Sequence, residues 1–151
     1  MDRGAEPRLG SPDGFDDAMH RAAIDAFFAF FNPWCWWIDE IRFRQDMDAA
    51  SVEPESIVRR GLRTANYSPM LHFAILAIGI MYLNHESGDR EVISDFFARN
   101  AAIFFEEEIE MAKLSAVVGL LLLGSHHAGH SRPSLGYMYA GAGLRLTRIR
   151  E

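Results

Sequence analysis

Three histidines within five residues, His126, His127 and His130, form the pattern in this sequence best suited to metal chemistry. Imidazole nitrogens are common zinc ligands, and histidines four residues apart on one helix can face the same ion. Gly129 argues against a regular helix at this point, and no acidic residue follows at a helical spacing. The sequence therefore favours histidines in a turn between two helices, with these three as the metal candidates of the chain.

Other candidate patterns for catalysis are incomplete. Glu106–Glu108 would need a Glu-x-x-His partner pattern to form the carboxylate metal site of a helical bundle, so we interpret them as a solvated face. Gly141–Gly143 is a fragment of a dinucleotide fingerprint, but it lies inside a predicted helix and not after a strand. The run Gly124–His126 is not a Gly-x-Ser-x-Gly nucleophile turn. We therefore predict no catalytic residue, no cofactor in this chain and no enzyme.

Two predicted helices flank the histidines. Val117–Leu123 is apolar on every side, so its helix must be buried; Ser115 is its predicted N-cap, and Gly124 its predicted end. The second helix is predicted to begin at Pro133, whose fixed φ suits a first helical turn. Small residues at 140–143 would let a neighbouring helix approach closely. One apolar stripe is predicted on this second helix: Leu135, Met138, Ala142, Leu146 and Ile149.

Helical periodicity extends over the rest of the chain, apart from a Gly- and Pro-rich lead-in at residues 1–14 that we expect to be disordered. The patterns predict helices over Phe15–Phe31, stopped by Asn32-Pro33, over Met70–Leu83 after the N-cap Ser68, and over Asp89–Lys113. A chain of 151 residues with 49% hydrophobic residues can build one domain core. We predict an all-α, irregular bundle of about five to six helices over residues 15–151.

Charge and cysteine content exclude several classes of function. The net charge of -6 lacks the basic footprint of a nucleic-acid-binding surface. The single Cys35 excludes an internal disulfide and a multi-cysteine zinc site in this chain, and fits a reducing compartment. No apolar run reaches the ~20 residues of a membrane span, so no membrane partner is expected.

Three tryptophans in four residues, Trp34, Trp36 and Trp37, add a large apolar surface next to the first helix. Such rings usually pack a core or an interface. We favour the interpretation that they pack one end of the bundle; the alternative is an aromatic wall for a ligand or partner.

Three runs near the C-terminal end have the order of a known family: Ser115–Gly124 (SAVVGLLLLG), Gly136–Tyr139 (GYMY) and Gly143–Leu146 (GLRL). They resemble the fungal-specific transcription factor domain, the middle homology region of fungal zinc-cluster regulators. Ala26–Trp34 (AFFAFFNPW) and Ser68–Leu71 (SPML) resemble earlier pieces of the same domain. The signature residues that we expect in the core are Ser115, Leu120, Leu121, Leu122, Leu123, Gly124, Gly136, Met138, Tyr139 and Arg145.

The resemblance implies a regulatory or effector region of a nuclear zinc-cluster transcription factor that regulates RNA polymerase II transcription. Full-length relatives bind DNA, and zinc, through a six-cysteine cluster, whereas this chain has one cysteine. Implied partners are a second copy, other transcription proteins or a small-molecule inducer. The alternatives are a small helical ligand- or metal-binding protein, or a truncated product without function.

The family domain also continues past the point matching Arg148–Glu151, so we expect a partial domain. The apolar helix Val117–Leu123 would then lack some neighbours, and exposed apolar surface marks interaction or aggregation. The sequence therefore predicts self-association of the isolated chain.

Overall fold

All regular structure in the described part of the chain is helical. The computed structural model describes residues 12, 14–52, 62–84 and 89–150, and none of these residues lies in a strand. The predicted all-α class is therefore confirmed. Most of the lead-in predicted at residues 1–14 falls outside the described residues.

The helices follow one another through short connections. They are α1 (Asp17–Ala26), a π-helical turn (Phe27–Phe31), α2 (Asn32–Cys35), α3 (Glu40–Val52), α4 (Pro69–Gly79) with a 3₁₀ turn (Ile80–Tyr82), α5 (Asp89–Ile103), α6 (Phe105–Met111), α7 (Leu114–Gly129) and α8 (Pro133–Arg150). The segments outnumber the five to six predicted helices because some predicted helices are divided. The predicted helix Asp89–Lys113, for example, is interrupted at Phe104, which has φ -88 and ψ 2.

The sequence predicted that the first helix stops at Asn32-Pro33, but the structure shows that it does not. A proline ring inside a regular α-helix collides with the carbonyl four residues earlier. The chain avoids this with a π turn, in which the backbone N–H of Asn32 donates to the oxygen of Phe27, five residues back. The helical path therefore continues through Pro33 and ends at Trp36, in the left-handed region with φ 52.

The core lies around α4 and α7. Helix α4 contacts α1, α5 and α7, and α7 also packs along α8. Ile75, Leu120, Leu122 and Leu123 are wholly buried between these helices. Burying each such side chain stabilises the fold by roughly 1.5–3 kcal/mol, so the apolar helix predicted at Val117–Leu123 is buried as expected.

Local capping signals were right at α4 and wrong at α7. The hydroxyl of Ser68 accepts from the backbone N–H of Leu71 at 3.1 Å, which confirms it as the N-cap of α4. Helix α7 begins at Leu114, so Ser115 is not its N-cap. Instead the buried Ser115 hydroxyl donates to the carbonyl of Thr64 at 2.7 Å, because a buried hydroxyl needs a partner and this carbonyl offers one.

Helix α7 also continues through Gly124 to Gly129, beyond its predicted end. A Cβ atom on Gly124 would lie 3.0 Å from the backbone nitrogen of Ala140 and 3.0 Å from the backbone oxygen of Gly136. Gly124 therefore does not break the helix; its missing side chain lets the backbones of α7 and α8 come together.

The apolar stripe predicted on α8 is wrong for its longest members. Leu135, Met138 and Ile149 are 44%, 60% and 74% exposed, whereas Leu146 is buried. The small residues turn their own face towards α7, since close backbone approach brings many atoms of both helices into van der Waals contact. The apolar surface left uncovered therefore lies on α8 and not on α7, where only Leu121 among residues 117–123 is half-buried.

Candidate functional site

His126 and His127 lie in the last turns of α7 and are buried, so the prediction of turn histidines is wrong for both. His130 and Arg132 follow in the connection to α8, and Asp95 reaches them from α5. We call Asp95, His126, His130 and Arg132 the Asp95 cluster. It joins α5, α7 and the connection between α7 and α8 through polar side chains.

Hydrogen bonds connect the members of the Asp95 cluster. Arg132 donates from Nη2 to Oδ1 of Asp95 at 2.5 Å and from Nη1 to Oδ2 at 3.2 Å. This two-point contact is the strong form of an arginine–carboxylate pair. His126 Nε2 lies 3.0 Å from the same Oδ1, and Arg132 Nε donates to Nδ1 of His127 at 2.9 Å.

Burial and charge set the protonation of these groups. Burial alone would raise the pKa of Asp95, but hydrogen bonds from Arg132 and His126 outweigh it and lower that pKa to about 2. Burial lowers the pKa of His126 to about 4, although the bond to Asp95 works in the opposite direction. Burial, and then the charge of Arg132, also lower the pKa of His127. At neutral pH an Asp95–Arg132 ion pair therefore lies beside the neutral imidazoles of His126 and His127.

Three members of the cluster could hold a metal ion. Asp95, His126 and His130 each offer one ligand atom, and these atoms all lie within 4.8 Å of one another. The residue pattern of the sequence indicated the histidines but not Asp95. No local signal identifies it, because it lies 31 residues before His126 and meets it only because α5 and α7 both pack against α4.

The tryptophans do not pack the end of the bundle. Trp34 is 88% exposed, Trp36 79% and Trp37 38%. The cause is Asn32, whose side-chain Nδ2 donates to the oxygen of Ile38 at 3.1 Å and whose Oδ1 accepts from the nitrogen of Ile38 at 3.3 Å. These bonds close a loop that buries Ile38 in place of the indoles. We call residues Trp34–Trp37 the tryptophan turn.

The signature residues occupy three environments. Met138 and Arg145 are exposed, so the interpretation of these two as core residues is wrong, since α8 turns its small residues towards α7. Leu121 and Tyr139 are half-buried. The others are buried: Ser115, Leu120, Leu122, Leu123, Gly124 and Gly136.

One acidic residue has a role that the sequence analysis missed. Glu108 is buried, unlike the exposed Glu106 and Glu107, and its Oε2 accepts from the backbone nitrogen of Met70 at 2.9 Å. Burial raises the pKa of Glu108. The carboxylate lies at the first turn of α4, where free N–H groups and the helix dipole favour an acceptor, so Glu108 helps to cap that helix.

The comparisons with known proteins agree with the resemblance. A family model, the fungal specific transcription factor domain, matches residues 24–149, a range that includes both the tryptophan turn and the Asp95 cluster. The matched family is a transcription factor domain and not an enzyme family. Neither the curated proteins nor the solved structures contain a match. Among the described helices, none combines the length and the hydropathy needed to cross a bilayer.

Proposed function

Because the chain belongs to the fungal specific transcription factor domain family, we propose that it is the regulatory region of a fungal zinc-cluster transcription factor. In this role it acts in the nucleus on RNA polymerase II transcription. The family match over residues 24–149 is the observation that supports the proposal. The chain itself performs no catalysis and needs no cofactor for this role.

The tryptophan turn is the surface through which we expect this region to contact another transcription protein. Trp34 and Trp36 are almost fully exposed, and tryptophan is enriched among the residues that contribute most to protein–protein binding. Trp36 also adopts a left-handed conformation, with φ 52, which is costly for a residue with a side chain. An exposed, strained indole contributes little to the fold, which supports a role in contact with a partner.

DNA contact in this proposal is indirect. The net charge of -6 supports a chain that does not bind DNA by itself, and a zinc-cluster domain of the kind that full-length relatives contain would supply that contact. A gel-shift titration tests this point: the purified chain should give no salt-sensitive, sequence-selective shift. Such a shift would contradict the proposal that this chain contacts DNA only through a zinc-cluster domain.

A tethering experiment tests the proposed function. The chain is fused to an unrelated DNA-binding domain in a fungal host, and transcription of a reporter with the matching DNA site is compared with that of the DNA-binding domain alone. We expect the fusion to change reporter transcription, and a Leu122→Ala fusion, with a disrupted core, to lose the change. Equal transcription with and without the folded chain would contradict a regulatory role and favour a product without independent function.

A further inference from the structure

His130 presents a buried ring nitrogen without a hydrogen bond to any of the described residues. Its Nδ1 lies 2.7 Å from the backbone oxygen of His126, and because a carbonyl oxygen can only accept, Nδ1 bears the proton. The lone pair is then on Nε2, which is buried and has no hydrogen-bond partner among the described residues. Imidazoles that bind metals show this arrangement, since their second nitrogen donates to a carbonyl or carboxylate.

His126 places a second imidazole nitrogen beside Asp95. Its Nε2 donates to a carboxylate oxygen of Asp95 at 3.0 Å, and its Nδ1 lies 3.3 Å from the hydroxyl oxygen of Ser94, whose own proton goes to the oxygen of Ala77. In the other neutral tautomer of His126 the proton is on Nδ1, where the Ser94 oxygen can accept it, and Nε2 is free to bind a cation.

We propose that Asp95, His126 and His130 form a binding site for a divalent transition-metal ion with the ligand preferences of zinc. Two imidazole nitrogens and one carboxylate oxygen are ligands that zinc accepts, at about 2.0–2.2 Å. Ligand atoms on one tetrahedral ion then lie about 3.3 Å apart. The His126–Asp95 pair is already at 3.0 Å, and the three ligand atoms are within 4.8 Å of one another. Small side-chain rotations therefore suffice, and water takes the fourth position.

Arg132 competes with the metal for Asp95. Its guanidinium contacts both carboxylate oxygens and lies 3.3 Å from Nε2 of His126, so it must move when the ion binds. Metal affinity is therefore reduced in the natural sequence. Removing this positive charge with Arg132→Gln should strengthen metal binding by about tenfold or more, since unit charges at such distances interact strongly near a protein surface.

Cobalt titration of the full chain tests the proposal, because Co²⁺ takes the place of zinc and its visible absorption reports the coordination number. We expect one cobalt ion per chain with a four-coordinate spectrum that added zinc abolishes. His130→Gln should weaken binding at least tenfold, because it removes a ligand. His20→Gln, which removes an imidazole near His72 in another part of the molecule, is the matched control and should leave binding unchanged.

Each variant is first checked by far-UV circular dichroism and thermal unfolding. Asp95→Asn should also weaken binding, because it removes the carboxylate ligand; if it fails to fold, the natural chain, His130→Gln and His20→Gln decide the question without it. The proposal is overturned if the natural chain shows no saturable cobalt binding, if His130→Gln binds as tightly as the natural chain, or if His20→Gln loses binding. The Asp95 cluster would then be only a polar connection between helices. None of these outcomes depends on the proposed role in transcription.

Discussion

Two regions of the molecule differ in how side-chain size relates to burial: the contact between α7 and α8, and the tryptophan turn. The helix contact is made by small residues, with a Cβ on Gly136 placed 3.0 Å from the backbone oxygen of Gly124. The tryptophan turn contains three of the largest side chains, yet Trp34 and Trp36 face solvent. The large indoles of Trp34 and Trp36 therefore add little to the core, whereas glycines, which have no side chain, let α7 and α8 pack together. We infer that the helix contact serves the fold and the tryptophan turn serves binding.

The largest effect should come from the apolar side of α7. Leu122 is wholly buried, so Leu122→Ala should lower the free energy of unfolding by roughly 2–5 kcal/mol through lost burial and a residual cavity. Leu121→Ala, at a half-buried neighbouring position, is the control and should cost less than half as much. Guanidinium unfolding measures both. Equal losses would mean that Leu121 and Leu122 are buried to the same extent, which would contradict the half-buried position of Leu121.

The next effect tests the close approach of the two helices. Gly124→Leu forces a side chain against the backbone of Ala140 and Gly136 and should destabilise the fold by about 3 kcal/mol. At Gly129 a Cβ would meet nothing within 4 Å. Gly129→Ala should therefore cost nothing, and improved helix propensity can add up to about 1 kcal/mol. If chemical unfolding ranks the two variants the other way round, the glycine contact does not hold α7 to α8.

A pH effect should also come from His72, a half-buried residue of α4. His72 packs among Phe43, Tyr67 and Phe73, with its ring nitrogens 2.8 Å from the Tyr67 hydroxyl and from His20. Burial, followed by the charge of His20, lowers the pKa of His72 to about 3. The unfolded chain then binds more protons between that pH and the ordinary histidine value of about 6.5. Stability is therefore fully present above pH ~6.5 and falls as the pH decreases towards 3.

The matching variant is His72→Gln, measured by urea unfolding at a series of pH values. It should reduce the acid-side slope of stability by at most about 1.4 kcal/mol per pH unit, the value for one proton. Part of the slope should persist, because burial also lowers the pKa of His20 and His126. An unchanged slope would show that His72 titrates normally and is not held neutral by the core.

The smallest effect should come from the tryptophan turn and should have the opposite sign. Trp36→Gly relieves a left-handed conformation at an exposed position and should stabilise the protein by up to about 1 kcal/mol. Trp36→Ala keeps the strain and should give no gain. A clear loss of stability in Trp36→Gly, seen as a lower Tm, would mean that this indole contributes to the fold after all.

Local signals in the sequence predicted local structure well. Ser68 and Pro69 placed the start of α4, and Pro133 the start of α8, because caps and fixed φ angles act within one turn. Features that depend on packing between helices were missed. The exposed tryptophans follow from Asn32 bonding to Ile38, and Asp95 reaches His126 only because α5 and α7 both pack against α4. Neither contact has a signature in residue spacing along the chain.

The same reasoning explains the error on α8. A stripe of Leu135, Met138 and Ile149 has the right helical spacing for a core face. Only one face of α8 can pack against α7. In this chain it is the face with Gly136 and Gly143, because these residues allow close backbone contact. Hydrophobic periodicity does not include that contact, so it identified the helix correctly and its buried face wrongly.

The separation of fold and binding is tested most directly by Trp34→Ala combined with Trp36→Ala in the tethered reporter, with the free energy of unfolding measured on the same variant. We predict a loss of the change in transcription with stability within about 0.5 kcal/mol of the natural chain, as for exposed positions in general. Tyr137→Ala, at an exposed aromatic residue of α8, is the matched control and should keep both properties. Unchanged transcription in the double variant, or a loss that accompanies unfolding, would contradict the assignment of the tryptophan turn to partner binding.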